Sequence, residues 1–206
     1  SLSNNDGNKF CTCSKCLANR EAHHAEGDCE AVEMIQLLNQ LCIDLDIENK
    51  YPNLYLDTLA YTWTIKSPGD VKCNSHIIVR WAPIEGNYGN TVDSDDIRNS
   101  EYYPYLLGWL KACEHVWIWD YNANLMTLDQ PYANVDVMQH DIKLYHDHGV
   151  EGIHLQSKND FLYANTEFDD IRNYIEGRML QDPKRNYEQE LAFYTNAYYG
   201  KSAPYI

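Results

Sequence analysis

His115-Val116-Trp117-Ile118-Trp119-Asp120-Tyr121-Asn122 is the stretch on which the reading of the fold turns. Aromatic and β-branched residues at this density predict a strand. In an extended chain Val116, Ile118 and Asp120 share one face, and Trp117, Trp119 and Tyr121 the other. A carboxylate, a phenol and an amide then arrive together where the apolar run stops. In barrels of parallel strands that C-terminal end carries the chemistry. The competing reading is a buried strand whose Asp120 caps a turn.

The segments on either side supply the rest of the pattern. A helix is predicted over 101–114, burying Leu106, Leu107, Leu110 and Cys113, and another over 135–148, with Met138, Ile142 and Tyr145 inward and Gly149 at its end. Earlier, Met34, Leu37, Leu38, Leu41 and Leu45 recur at helical spacing within 30–45. Strands are predicted over 54–64, 76–85 and 150–156, and Ser1-Leu2-Ser3 reads as the end of one more. A short helix follows Cys16, and helices over 166–180 and 187–199 close the chain. Strands separated by amphipathic helices indicate parallel crossover units, hence an α/β fold in one domain over 1–206. Five strands cannot close a barrel of eight. The pattern leaves open an open sheet or the C-terminal part of a barrel.

Composition narrows the partners. With 206 residues, 44% of them hydrophobic, the chain can bury a core. A formal charge of −15 disfavours nucleic acid and anionic membrane surfaces, because phosphate would be repelled. Nothing resembles a transmembrane span. Seventeen tyrosines and five tryptophans suit the apolar faces of sugar rings, and they also serve ordinary cores.

Several segments carry a family pattern, in order along nearly the whole chain. They are Asn5-Asp6-Gly7 with the C-x-C-x-x-C run Cys11–Cys16, Asp57-Thr58-Leu59-Ala60-Tyr61, Ile78-Val79-Arg80 leading to Ile84-Glu85, and Trp119-Asp120-Tyr121. Gly149-Val150-x-Gly152 with Gln156, and Tyr199-Gly200-x-x-Ala203-Pro204-Tyr205-Ile206, complete the set. Together they resemble the glycosidase-like barrel family first catalogued as a domain of unknown function. Some of its members are classed in glycoside hydrolase family 163, endo-β-N-acetylglucosaminidases acting on N-glycans. The resemblance implies a TIM-type (β/α)8 barrel of which this chain holds about strands four to eight, the N-terminal strands lying elsewhere in the parent protein. It also implies an exported carbohydrate enzyme, whether secreted, periplasmic or on the cell surface, with a glycan or glycoprotein as partner. Two loops depart from the family pattern, Gly86-Asn87-Tyr88-Gly89-Asn90 after Glu85 and Asn122-Ala123-Asn124-Leu125-Met126 after Tyr121.

Glycoside cleavage needs an acid at the leaving oxygen and a group that stabilises or captures the anomeric centre. Asp6 and Glu85 are the candidates for proton transfer, with Asn5 orienting a substrate acetamide and Asp120 a third carboxylate in the cleft wall. Asn5-Asp6-Gly7 also reads as a plain turn. Glu85 also reads as a strand-end salt bridge to Arg80 or Lys72. Tyr61, Trp63, Trp119 and Tyr121 are candidate sugar platforms, with Gln156 and His154 as hydroxyl partners, whereas Trp117 is assigned to core packing. A non-catalytic carbohydrate-binding barrel is the second functional reading. An interaction module built around the cysteine loop is the third.

Seven cysteines leave at least one thiol unpaired within the chain. Cys11, Cys13, Cys16 and Cys29 offer four sulfurs, with His23 and His24 close in sequence, but the spacing is not the paired C-x-x-C of a zinc ribbon. A disulfide is the simpler expectation for an exported chain. No metal site and no cofactor are assigned on sequence grounds. Cys42, Cys73 and Cys113 are expected as core thiols or loop residues.

Overall fold

The computed structural model describes residues 1–7, 9–122, 132, 134–156 and 168–206. Residues 123–126 and the start of the helix expected from Thr166 lie outside the described residues. Four strands, β1 (Leu56–Ala60), β2 (Ile77–Trp81), β3 (His115–Asp120) and β4 (Gly152–Leu155), form a parallel sheet in sequence order. Helices α1 (Ser14–Ala22), α2 (Ala31–Asp44) and α3 (Ile47–Lys50) precede β1. Helix α4 (Asn99–Ala112) leads from β2 to β3, and α5 (Val135–Asp147) from β3 to β4. Helices α6 (Asp169–Gln181) and α7 (Tyr187–Tyr199) follow. The chain is thus α/β with consecutive parallel strands, consistent with part of a barrel.

One face of the sheet is covered by helices. Thr58, Ala60, Val79, Trp81, Val116 and Ile118 point into it, against Val32, Ile35 and Leu38 of α2 and Leu106 and Trp109 of α4. Trp109 is wholly buried and donates its indole N–H to the Ile65 carbonyl at 2.8 Å, so its polar edge is satisfied. A second cluster, Met138, Ile142, Ile171, Ile175 and Met179, joins α5 and α6 to α7. The opposite face carries Leu59, Arg80, Trp117, Trp119 and His154, all partly or largely exposed.

Several expectations are corrected. Trp117 is not in the core: it is 38% exposed on the open face and lies against Gly152, where an added Cβ would come within 2.8 Å of the ring. Ser1–Ser3 is not a fifth strand. Leu2 N donates to Asp57 O at 2.8 Å, but the next contact, Leu59 N to Ser3 Oγ at 3.1 Å, uses a side chain instead of a carbonyl. The first strand stops at Ala60 rather than continuing to Thr64, because the Thr64 hydroxyl accepts the Tyr61 N–H at 3.1 Å and Thr62 turns into left-handed backbone at φ 50°. Trp63 therefore sits in a 3-10 turn, Thr62–Thr64. Helix α2 is rotated from the expected stripe: Leu37 and Leu45 are exposed, and the β-branched Val32 and Ile35 are buried instead. Cys73 and Cys113 are loop residues, as one of the two expectations had it, and not free core thiols: they form a disulfide that ties the approach to β2 to the end of α4.

Candidate functional site

Parallel register brings the strand ends into line. Ala60 pairs with Trp81, Trp81 with Ile118 and Trp119 with His154, so Tyr61, Ala82, Trp119 and His154 follow in one row at the C-terminal edge. Tyr61, Trp119 and His154 belong to the open face.

The acidic half of this edge starts at Asn4-Asn5-Asp6-Gly7. Asn4, not Asn5, anchors it: its amide donates to Tyr61 O at 3.3 Å and Thr62 Oγ1 at 3.1 Å, and its carbonyl faces the Thr64 hydroxyl at 3.2 Å. Gly7 turns at φ 149°, a conformation L side chains rarely adopt, directly over the Trp63 ring. Asp6 is left exposed beside Tyr61. Burial pushes the Tyr61 phenol up, and the neighbouring Asp6 carboxylate, within hydrogen-bonding reach, and Glu85 push it further. Tyr121 is held up by burial and then by Tyr61 and Asp6. Tyr102 is raised to about 12, by burial first and then by Glu85. Asp6 thus acts on both Tyr61 and Tyr121, and Glu85 acts on Tyr61 and Tyr102. The salt bridge considered for Glu85 is not formed. Arg80 pairs with Asp57 at 2.6 Å, and Lys72 donates to the Lys111 carbonyl at 2.8 Å.

The aromatic half lies on the same face. Trp119 donates its indole N–H to Gln156 Oε1 at 2.7 Å, meets His154 edge to face at 4.5 Å, and carries the Arg80 guanidinium over its ring at 5.5 Å. Gln156 therefore orients Trp119 rather than standing free, and the indole is fixed for stacking.

Asp120 is on the other side of the sheet. It shares its face with Val116 and Ile118, is 5% exposed, and burial raises its carboxyl to about 7. Its Oδ1 has no hydrogen-bond partner among the described residues. Two more carboxyls lie within its field. Asp141 is raised to about 8, chiefly by burial, and Glu176 to about 7, chiefly by burial against an opposing Arg172. Val92 N donates to Asp141 at 3.0 Å and Asn122 Nδ2 donates to Glu176 at 2.6 Å, while Arg172 caps the Asn122 carbonyl at 2.9 Å. Tyr88 bridges the two sides, its ring 5.9 Å from Tyr121 and its phenol raised by burial and by Asp120. The cavity between Trp81, Tyr88, Asp141 and Tyr145 measures about 10 Å³, room for a water and not for a sugar ring.

Of the sequence candidates, Asp6 lies beside Tyr61 and Tyr121, Trp119 and Gln156 pair on the same face, Trp63 lies against Gly7, and Glu85 is exposed after β2 with no salt bridge to Arg80 or Lys72. Asn5 is exposed at the turn, and Asp120 is buried on the helix-covered face, whereas Asp6 and Glu85 are exposed. Sequence reasoning missed Asn99. It is 3% exposed and knots the 86–99 loop by accepting from Asn87 N at 2.8 Å and donating to the carbonyls of Asn87 and Thr91 at 2.9 Å each. It also missed Asp141 and Glu176. Their signal was an acid at a core position of an amphipathic helix.

Among the described residues, two further groups of potential ligands occur. Asp93, His140 and Asp141 converge, but His140 already pairs with Asp93 at 2.8 Å. The sulfurs of Cys11, Cys13 and Cys16 converge as well. Hydrogen bonds from the Cys16 amide and from the Cys11 and Cys16 thiols lower Cys13 to about 7, while hydrogen bonds with Cys11 and Cys13 raise Cys16 to about 12. Cys29 is apart, buried with its thiol on the Lys66 carbonyl at 3.2 Å.

A family model described as a domain of unknown function, DUF4838, matches residues 1–206. The chain belongs to that family. No curated protein and no solved structure matches it significantly.

Proposed function

We propose that this DUF4838 domain is a glycoside hydrolase of the family 163 type, cleaving N-acetylglucosamine-containing glycans such as N-glycans. In this reading the open sheet face is one wall of a (β/α)8 barrel completed by N-terminal strands of an exported parent protein. The observation that carries it is the exposed Asp6 carboxylate beside Tyr61 and Tyr121 at the C-terminal strand ends, where barrel chemistry is built. Glu85, free of both basic neighbours, protonates the glycosidic oxygen as the bond to the anomeric carbon breaks. The substrate's acetamide oxygen attacks that carbon. Asp6 accepts the acetamide N–H, with Asn5 orienting the group and Tyr61 orienting Asp6. Water then opens the resulting oxazolinium ring and restores the proton to Glu85. Trp119, fixed by Gln156, stacks on a sugar face.

The test is glycan release from an N-glycoprotein by the full-length parent protein. Asp6→Asn and Glu85→Gln should each lower the rate by about 100-fold or more, the usual worth of a positioned acid or base. Unchanged release in both removes them from the site. The Trp119–His154–Gln156 group is complete without either carboxylate. It favours a second reading, a carbohydrate-binding barrel, which glycan binding without release by the wild type would support.

A further inference from the structure

Cys73 and Cys113 are paired, and Cys29 and Cys42 are buried. Cys11, Cys13 and Cys16 remain at the surface, their Sγ atoms all within 4.8 Å of one another. One disulfide would consume two and strand the third. A single metal ion consumes all three. Zinc–thiolate bonds of about 2.3 Å at tetrahedral angles set sulfurs about 3.8 Å apart, a spacing that a triangle of this size reaches with small side-chain rotations. The loop is shaped independently of its sulfurs. Glu30 Oε1 accepts the Cys11 N–H at 2.6 Å, and Cys13 is the N-cap of α1. The wholly buried Arg20 holds Glu30 at 3.5 Å, Glu33 at 3.1 Å and the Gly27 carbonyl at 2.9 Å, and its guanidinium lies over Phe10 at 5.6 Å.

We propose that Cys11, Cys13 and Cys16 bind one zinc ion as thiolates, leaving a fourth position for water or an external donor. Three soft sulfur ligands select zinc over the hard cations that oxygen sites prefer. Cys29 is not a ligand. The ion would rivet the chain a few residues beyond Asp6 to the start of α1. The proposal stands on the cysteine geometry and does not depend on the catalytic reading.

The test is metal content of the full chain, purified under reducing conditions with zinc supplied and then dialysed. Stoichiometric zinc is expected in the wild type and in Cys29→Ala. Cys13→Ser and Cys16→Ser should lose it, and Cys11→Ser, altered in an exposed loop, should lose it with an unchanged circular dichroism spectrum. Cobalt substitution should give thiolate-to-metal charge-transfer absorption that each of these three serine variants weakens. Absence of zinc from the wild type with all three thiols open to alkylation overturns the site. So does a Cys13–Cys16 disulfide whose reduction restores no metal binding, or retention of zinc by the Cys11 and Cys16 variants.

Discussion

Replacing Asp120 by Asn should flatten the dependence of stability on pH. The Asp120 carboxyl is raised from 3.8 to about 7 by burial. Its folded value lies above its unfolded value, so between the two the native state keeps a proton that the unfolded chain has released. Stability contributed by the neutral acid is full below the unfolded value and lost as pH rises through the folded one. Each pH unit in that window costs about 1.4 kcal/mol, and the slope dies away above about pH 7, so between about pH 5 and pH 8 the loss from Asp120 is about 3 kcal/mol. Asp141 and Glu176 titrate in the same window, and the Asp120 charge helps raise both, so the variant also relieves part of their share. The new amide shifts the whole curve by about 1–3 kcal/mol if it finds no partner, but an amide does not titrate and leaves the slope alone. The assay is urea unfolding of wild type and Asp120→Asn at a series of pH values. The difference between the two curves should grow in favour of the variant by about 3 kcal/mol from pH 5 to pH 8. Parallel curves would refute the assignment of a neutral buried acid.

Three other outcomes follow from single contacts. Asn99→Ala removes the knot of the 86–99 loop and leaves buried backbone groups unpaired, so the urea midpoint should fall by the equivalent of about 2–3 kcal/mol. Gly152→Ala drives a methyl into the Trp117 ring; it should cost about 1–3 kcal/mol and shift tryptophan fluorescence, whereas an unaltered spectrum would mean that Trp117 does not lie there. Serine at both Cys73 and Cys113 opens a bond spanning 40 residues, which in the chain-entropy account lowers stability by about 4 kcal/mol, read as a fall in denaturation midpoint that reductant reproduces in the wild type.

Much of the architecture was legible because it rests on periodicity. The alternation of His115 to Asp120 fixes which side chains share a face, and helices between strands impose parallel order. Period alone does not say which face the helices cover. Tryptophan serves a core and an open surface equally, so nothing in the residue type of Trp117 places it on the open face. The length of β1 depended on one hydroxyl, Thr64, capturing the Tyr61 amide, and no propensity scale carries that competition. The α2 stripe misled for a related reason: leucines repeat on two adjacent faces, and the packing of Val32 and Ile35 selects between them. In the candidate site, the acids at strand ends were visible as acids, but Asn4 and Asn99 look like any loop asparagine until the carbonyls around them are known. Cys73 and Cys113 lie 40 residues apart and meet only because a crossover returns the chain.

The two-residue period of the strand has a consequence for the chemistry. Asp120 and Tyr121 are adjacent, yet one faces the helix layer and the other the Asp6 group. The carboxyls therefore divide into two populations. Asp120, Asp141 and Glu176 are buried and tuned towards neutrality by the core, whereas Asp6 and Glu85 are exposed, where a ligand can reach them. Raised carboxyls are a usual guide to a general acid, and here they lead away from the accessible edge. Substitution separates the two roles. If the open-face group does the chemistry, Asp120→Asn should alter unfolding while leaving glycan release near wild type at a pH where both proteins are folded. Asp6→Asn should do the reverse, because its exposed carboxylate makes few contacts to lose. A fall in release with Asp120→Asn, at full folding, would instead move the reacting acid beneath the sheet and require a path to it past Tyr88.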